Sequence, residues 1–371
     1  MDCEEAFMAT KTLFGIQPRI LIMLLFLGIV PMILCFWIIF SHSETQYMEM
    51  KGKELADLAE IATLQLRNQL QAASRQMDGL ACNPSVFETL AASNRELQGK
   101  EDATLAQSVG QEKSWAGLTP EDPLVRRIVG TPLSAYLTKF ITIHPTFREV
   151  TVLNRLGVAV ASAHVPDHYL YGDSKWRDLV VNSYLQRGAY VSDVKRSEFY
   201  KAYILEVIVP VFDSNQSMLG MIRGILKTDY INAIIRPFRF GETGQALLIA
   251  SDGTIISSRD VDLGNQVTYD FFEPAKPLLE EGQKRAFQVE RRMAQARFIG
   301  VARTNLRDAF PDTHWYLLVE QDLQEIQQPI SGLKGWAIVA VVIVLIINVV
   351  LAVWFSREFT KPLLDMHLEK L

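Results

Sequence analysis

Two apolar runs without a charge constrain this chain more than any other feature. Ile20 to Phe40 and Gly335 to Phe355 each span 21 residues and contain no Asp, Glu, Lys or Arg. At a rise of about 1.5 Å per residue, a helix of that length reaches about 31 Å, the thickness of a bilayer hydrocarbon core. Trp336 and Trp354 stand near the ends of the second run, where aromatic rings favour the membrane interface. Pro31 interrupts the first run, which a membrane helix tolerates because neighbouring groups re-satisfy the freed carbonyl. A cleaved signal peptide competes for the first run, with Ser41, His42 and Ser43 as its small-residue site. The run exceeds the roughly 7 to 15 residues of a signal h-region, which favours an uncleaved anchor.

The expected organisation is therefore an N-terminal segment 1–19, a membrane helix 20–40, an outer domain 41–334, a second membrane helix 335–355 and a tail 356–371. Lys11, Arg19, Arg357, Lys361 and Lys370 flank the runs on one side, against Lys51, Lys53 and Lys334 on the other. That excess places both termini in the cytoplasm. A formal charge of −5 arises from mixed acids and bases rather than from a basic block, which argues against nucleic acid as a partner. Cys3, Cys35 and Cys82 supply neither a disulfide framework nor a CxxC pair.

Within the outer domain, Leu55, Ala59, Ala62, Leu66, Leu70, Ala73, Met77 and Leu80 recur at spacings of three and four. That stripe predicts a long helix over 43–80, packed along its own domain or along a second copy of the chain, with Asn83-Pro84 as its break. Residues 93–123 are polar with Gly and Pro and read as a surface connection holding one short helix. A strand-turn-strand then runs from Glu149 to His164, turning at Leu156-Gly157, and a similar unit returns from Ala246 to Asp260 around Asp252-Gly253. The two align at an offset of 96, matching Gly157 to Gly253, Val160 to Ile256 and Ser162 to Ser258. Two related sheets in tandem follow from that repeat. A third hairpin spans Tyr203 to Lys227 around Asp213, and Arg297–Arg303 and Trp315–Gln321 supply late strands. The fold class is α+β: two tandem antiparallel sheets on a long N-terminal helix, flanked by the two membrane helices.

The order of these pieces, with VIVPVFDSNQSMLGMIRG, GETGQALLIASDGTIISS and WYLLVEQ among them, resembles the double-Cache sensor family, the tandem PAS-like ligand-binding regions of bacterial chemoreceptors and sensor kinases. Ser356 to His367, with Pro362-Leu363, resembles the opening of a HAMP linker. The resemblance implies a bacterial inner-membrane receptor whose outer part is periplasmic or extracellular. It implies a membrane-distal lobe over about 81–235, a membrane-proximal lobe over about 236–325, a homodimer, and a cytoplasmic signalling partner of the two-component or chemotaxis kind. The chain stops at Leu371, so the output module is expected to be missing or separate, and no enzymatic activity is expected. The alternative is a tethered envelope protein that binds a protein partner without signalling.

The resemblance also implies that a small ligand sits in the distal lobe, under a lid that includes Tyr169 to Leu179. Tyr169 and Trp176 fit the pattern of members that bind α-amino acids. Ser174 stands where an Arg is expected, Arg177 where an aromatic is expected, Lys195 near a later Tyr, and Ile225 near a strand Asp that pairs with the ligand ammonium. Free amino acids are thereby disfavoured. Arg177, Lys195, Arg196 and Arg223 form a basic set, and Arg223 shares a strand face with Ile225. Guanidinium groups hold carboxylates with paired hydrogen bonds, so a small anionic ligand such as an organic acid is expected. Tyr190 and Asp193 complete the candidate ligand site, although Asp193 equally suits a turn. Tyr169 and Trp176 equally suit core or lid packing.

No cofactor or metal is expected. Pro166 disrupts any helix that would pair His164 with His168. Gly241 to Gly244 lacks the Lys-Ser/Thr ending of a phosphate cradle. GxSxG and HExxH signatures are absent from the sequence.

Overall fold

The structure is a computed structural model and describes residues 3–188, 190–261, 267–281, 287–292, 295–302, 310 and 313–368. The chain divides into two compact units, one of Met1–Lys51 with Gln324–Leu371, the other of Gly52–Leu323. Helix α1 (Cys3–Ala81) contributes to both.

In the first unit, the N-terminal part of α1 meets α9 (Leu323–Leu368). Each carries a segment long and apolar enough to cross a membrane, and almost no residue of those segments is buried within the chain. Gly28 faces the Asn348 amide so closely that a Cβ there would collide with it. Lys334 Nζ lies 3.3 Å from Glu44 Oε2 and 5.0 Å from the centroid of the Phe40 ring.

The second unit is organised by the rest of α1. All eight residues of the apolar stripe, Leu55 through Leu80, are at most 1% exposed. Each fully buried leucine of such a stripe contributes about 1.5–3 kcal/mol. Two sheet glycines permit this close packing. A Cβ on Gly224 would lie 3.0 Å from the Met77 methyl, and one on Gly300 would lie 2.7 Å from the Leu55 backbone. The stripe is thus consumed within the chain, against both sheets.

Asn83 stops α1 and starts α2 (Pro84–Leu97), its side chain accepting from the Ser85 amide with Pro84 at the first helical position. The segment read as a surface connection is more helical than its composition suggests. It holds the end of α2, all of α3 (Glu101–Trp115) and the start of α4 (Pro123–Val129). Glu101 and Asp102 complement the positive end of α3, and Trp115 buries its other end, donating from Nε1 to the Pro166 carbonyl at 2.9 Å. Helix α5 (Pro132–Ile143) follows.

The first sheet comprises β1 (Phe147–Asn154), β2 (Ala159–Ser162), β3 (Tyr190–Val191), β4 (Lys195–Ser197), β5 (Ala202–Phe212) and β6 (Met218–Leu226). Its order is β2-β1-β6-β5-β3, with β4 also on β5 and every pairing antiparallel. Helix α6 (Ser174–Arg187) lies between β2 and β3 in sequence, and α7 (Thr228–Ile235) follows β6. The second sheet comprises β7 (Arg239–Phe240), β8 (Gly244–Ala250), β9 (Ile255–Ser257), β10 (Phe287–Arg292), β11 (Gln295–Val301) and β12 (Trp315–Asp322). Its order is β10-β11-β12-β8-β7, with β9 also on β8, and α8 (Phe272–Glu281) precedes β10. Arg303, expected to end the β11 strand, lies outside the described residues.

The repeat extends to the turns. Gly157 and Gly253 take φ of +86° and +84°, a region that disfavours side chains. Their carbonyls accept from the Tyr171 and Tyr269 amides, both at 2.8 Å.

Candidate functional site

One face of the first sheet is charged and buried. The register places Glu149 on β1 and Glu206 on β5 as the two neighbours of Ile225 on β6, while Thr151 and Ile208 flank Arg223. Period-two alternation puts both rows on the same face. Arg223, at 1% exposure, donates from Nε to Glu206 Oε1 at 2.9 Å and from Nη1 and Nη2 to the two Asp167 oxygens at 2.8 and 3.0 Å. Its Nη2 also bonds Glu206 Oε1, and the guanidinium lies 4.6 Å from the Tyr171 ring centroid. Lys195 Nζ reaches the other Glu206 oxygen at 2.9 Å.

These contacts set the protonation states. Burial alone would raise the Asp167 and Glu206 carboxyls, but Arg223 overrides it for both, with Lys195 assisting at Glu206, and holds them below the usual carboxylate range. Burial pushes the Tyr171 hydroxyl well up, and that hydroxyl donates to Asp167 Oδ1 at 2.8 Å.

Glu149 forms the adjoining corner. It accepts from Ser162 Oγ at 2.8 Å and from the His164 amide at 3.1 Å, and His164 Nδ1 lies 3.0 Å from its second oxygen. That hydrogen bond raises the His164 pKa against the opposing effect of burial. On α3, Glu112 accepts from the Tyr169 and Leu170 amides at 2.7 and 3.0 Å, and His168 Nδ1 approaches it at 2.6 Å. The segment leading to α6 is therefore clamped to the sheet by one carboxylate and to α3 by another. The two histidines serve separate acids, and among the described residues no cluster suited to a metal ion occurs.

One group in this interior lacks a partner. The Tyr200 hydroxyl, between β4 and β5, is buried without a hydrogen bond to any described residue. Burial, then the carboxylates of Asp167 and Glu149, push its pKa up strongly, so it is a proton donor. Arg148 covers its ring at 4.9 Å.

Of the residues expected from sequence, Arg223, Lys195 and Ile225 meet on this face. Tyr190, on β3, pairs with Ile208 of β5 and belongs to an apolar cluster with Trp115, Leu153 and Val180. Tyr169 and Trp176 pack half-buried against that cluster, and the Tyr169 ring lies 5.5 Å from Trp115. Arg177 Nη1 donates to the Leu156 carbonyl at 2.9 Å, and Arg196 Nε lies 3.6 Å from Glu198 Oε1. Arg177, Lys195 and Arg223 thus have hydrogen-bond acceptors within the chain, and Arg196 has a looser, exposed ion pair. Asp193 faces the second sheet: Trp315 Nε1 donates to its Oδ1 at 2.5 Å, and His314 Nδ1 lies 3.4 Å from its Oδ2. Glu149, Asp167, Tyr171, Tyr200 and Glu206 were not singled out from sequence. The usable signal was an acid inside a β-branched run, as Glu206 is in YILEVIVPVF.

A family model described as Cache domain matches residues 45–330. Solved structures share the fold at low identity. The ligand-binding domain of the Campylobacter jejuni chemoreceptor Tlp3 in complex with 4-methylisoleucine is 10% identical, with a TM-score of 0.51, covering 78% of this chain and 98% of that one. The sensory domain of the same chemoreceptor in a second structure is 9% identical, with a TM-score of 0.51 and coverage of 77% and 99%. The ligand-binding domain of the Pseudomonas fluorescens chemoreceptor CtaA with L-isoleucine is 13% identical, with a TM-score of 0.47 and coverage of 77% and 98%. Among curated proteins no sequence match is found.

Proposed function

The chain belongs to the Cache-domain family, and from that membership we propose that it is a membrane receptor: the first lobe, distal from the membrane, binds a small extracytoplasmic ligand on the charged face around Arg223, and the second apolar helix carries the signal inward. The observation that carries this reading is the unpartnered Tyr200 hydroxyl beside buried Glu149 and Asp167. A buried donor left unsatisfied costs about 1–3 kcal/mol, which a ligand acceptor or a bridging water recovers.

The ligand class follows from the pairing. An anion was expected from the basic set Arg177, Lys195, Arg196 and Arg223; three of these donate hydrogen bonds to acceptors of the chain, and Arg196 pairs loosely with Glu198. Glu149, by contrast, meets among the described residues the Val150 and His164 amides, the Ser162 hydroxyl and the His164 imidazole, with no Lys or Arg bonded to it. A small amine, whose ammonium completes Glu149 and whose polar substituent meets Tyr200, suits this balance better than a dicarboxylate. An α-amino acid would bring a carboxylate to a face whose buried guanidinium, Arg223, is already held by Asp167 and Glu206.

Signalling then runs through the strand segment 190–197. Lys195 reads the ligand face through Glu206, and Asp193, two residues earlier, holds Trp315 and His314. Strand β12 begins at Trp315 and passes without interruption into α9. A ligand biases such a system only by its difference in affinity for two states. Dimer contacts belong to the exposed face of α1, at Asp57, Ile61, Gln65 and Asn68, because the apolar stripe is occupied. The tail after Phe355 acts as the opening of a HAMP-like linker to an output module.

The test joins residues 1–368 to the output half of a reporter histidine kinase and challenges cells with amines, amino acids and dicarboxylates. Output that depends on an amine, and is lost in Glu149→Gln, is expected. No response to any small molecule, with a protein partner recovered instead, would move the chain to the tethered-partner reading.

A further inference from the structure

A cleft opens on this unit, away from the Arg223 network, where the C-terminal end of α1 meets α2, α6 and the end of β5. It is an open cleft of about 570 Å³, within the ~300–1,000 Å³ typical of small-molecule sites. Its walls include Phe87, Tyr184 and Phe212, and its acids are Asp78 and Glu88; no Lys or Arg occurs among the described residues that line it. The Tyr184 and Phe212 rings are 6.4 Å apart and tilted by 39°. Tyr184 Oη donates to Asp78 Oδ1 at 2.9 Å, which anchors the phenol edge of a ring that lines the cleft beside Phe212.

Aromatic faces carry negative electrostatic potential and attract cations within about 6 Å, most strongly when a carboxylate is close and water is partly excluded. We propose that this cleft is a second binding site, for a small organic cation of the quaternary or alkylated ammonium class. The positive group rests on Tyr184, Phe212 and Phe87, and Asp78 and Glu88 balance its charge. An ammonium with three N–H donors would leave them facing rings; an alkylated one loses nothing there, which selects the class. Consistent with a carboxylate awaiting a counter-charge, burial raises the Asp78 pKa and only the Tyr184 hydrogen bond opposes it. The phenol of Tyr184 is itself pushed up to about 12, first by burial and then by Asp78, so it stays a neutral donor at neutral pH.

Cys82 lines the same cleft and is exposed, which supplies a native probe. In the full chain with Cys3→Ser and Cys35→Ser, the Cys82 thiolate is treated with a cationic reagent, trimethylammonioethyl methanethiosulfonate, or an anionic one, sulfonatoethyl methanethiosulfonate. Each forms a mixed disulfide and releases methanesulfinate. The cationic reagent should react at least about ten-fold faster, and tetramethylammonium should slow it saturably. Phe212→Ala and Asp78→Asn should each weaken that protection by about ten-fold, with the melting temperature of the full chain as the check on folding. Equal rates for the two reagents, protection by acetate as strong as by tetramethylammonium, or a thiol inert to both would overturn the proposal. None of these outcomes bears on the Arg223 face, so the receptor reading stands or falls separately.

Discussion

Where the first sheet has Glu149, Arg223 and Glu206, the second has Gln245, Leu318 and Ile299. The correspondence follows from register: with β1 and β8 offset by 96, Thr151 opposite Arg223 becomes Leu247 opposite Leu318, and Glu206 opposite Ile225 becomes Ile299 opposite Glu320. The second interior is filled by Tyr269, Phe271, Phe272, Ile299 and Leu318. Its one buried strand acid, Glu320, is satisfied by the Tyr269 hydroxyl at 2.7 Å and by Gln245 at 3.0 Å. One topology therefore supports two interiors, and the apolar one is the simpler route to stability. Desolvating an arginine and its acids costs several kcal/mol per ion, and hydrophobic replacements of similar volume are often neutral or stabilising. A charged interior retained in only one lobe points to a use other than stability.

The largest expected effect comes from breaking that interior on one side. Arg223→Leu, the residue of the second sheet, strands two buried carboxylates and should cost about 3–5 kcal/mol in chemical denaturation. Replacing the whole set, Arg223→Leu with Glu206→Ile and Asp167→Leu, should recover most of that stability while abolishing any ligand response; a triple variant as unstable as the single one would show that the ions hold the lobe together. The reverse change, Leu318→Arg, buries an uncompensated charge among aromatics and should cost about as much as Arg223→Leu.

A smaller effect tests the link between the sheets. Trp315→Phe keeps the packing and removes the donor to Asp193, so stability should fall by about 1 kcal/mol. Reporter output should uncouple from binding, with ligand affinity little changed. Loss of affinity in step with output would place Asp193 in the pocket itself.

Protonation gives the smallest effect. The folded His164 pKa lies above its unfolded value, so its contribution is full below about pH 6.5 and fades as pH rises through the folded value. Because the imidazole is more than half exposed, screening keeps the effect slight. The melting-temperature gap between the protein and His164→Gln should narrow on going from about pH 6 to about pH 8. Asp167 and Glu206 act oppositely. Their folded pKa values are depressed, so their contribution is present above the unfolded value of about 4 and is lost as pH falls through the folded ones.

The legible parts of the sequence were those with local periodicity. The α1 stripe, the Gly157 and Gly253 turns and the Asp213 hairpin were each set by residues within a few positions of one another, and all appear where expected. The α3 region was hidden because its polar, Gly-containing composition mimics a loop, whereas a single buried tryptophan anchors it. At the charged face, Arg223 was visible as a cation in an apolar strand. Its partners were not, since Asp167 and Glu206 lie 56 and 17 residues away and meet it only where β5, β6 and the segment between β2 and α6 come together.

The most direct measurement is hydrogen exchange on the full chain in lipid nanodiscs, with and without a small amine, an α-amino acid or a dicarboxylate at saturation. Slowed exchange over 149–171, 190–206 and 220–226 on addition of the amine, with 245–250 left unchanged, is the predicted result. Protection confined to the second sheet, or none in the first sheet with any compound, would contradict the claim that the charged lobe is the one that binds.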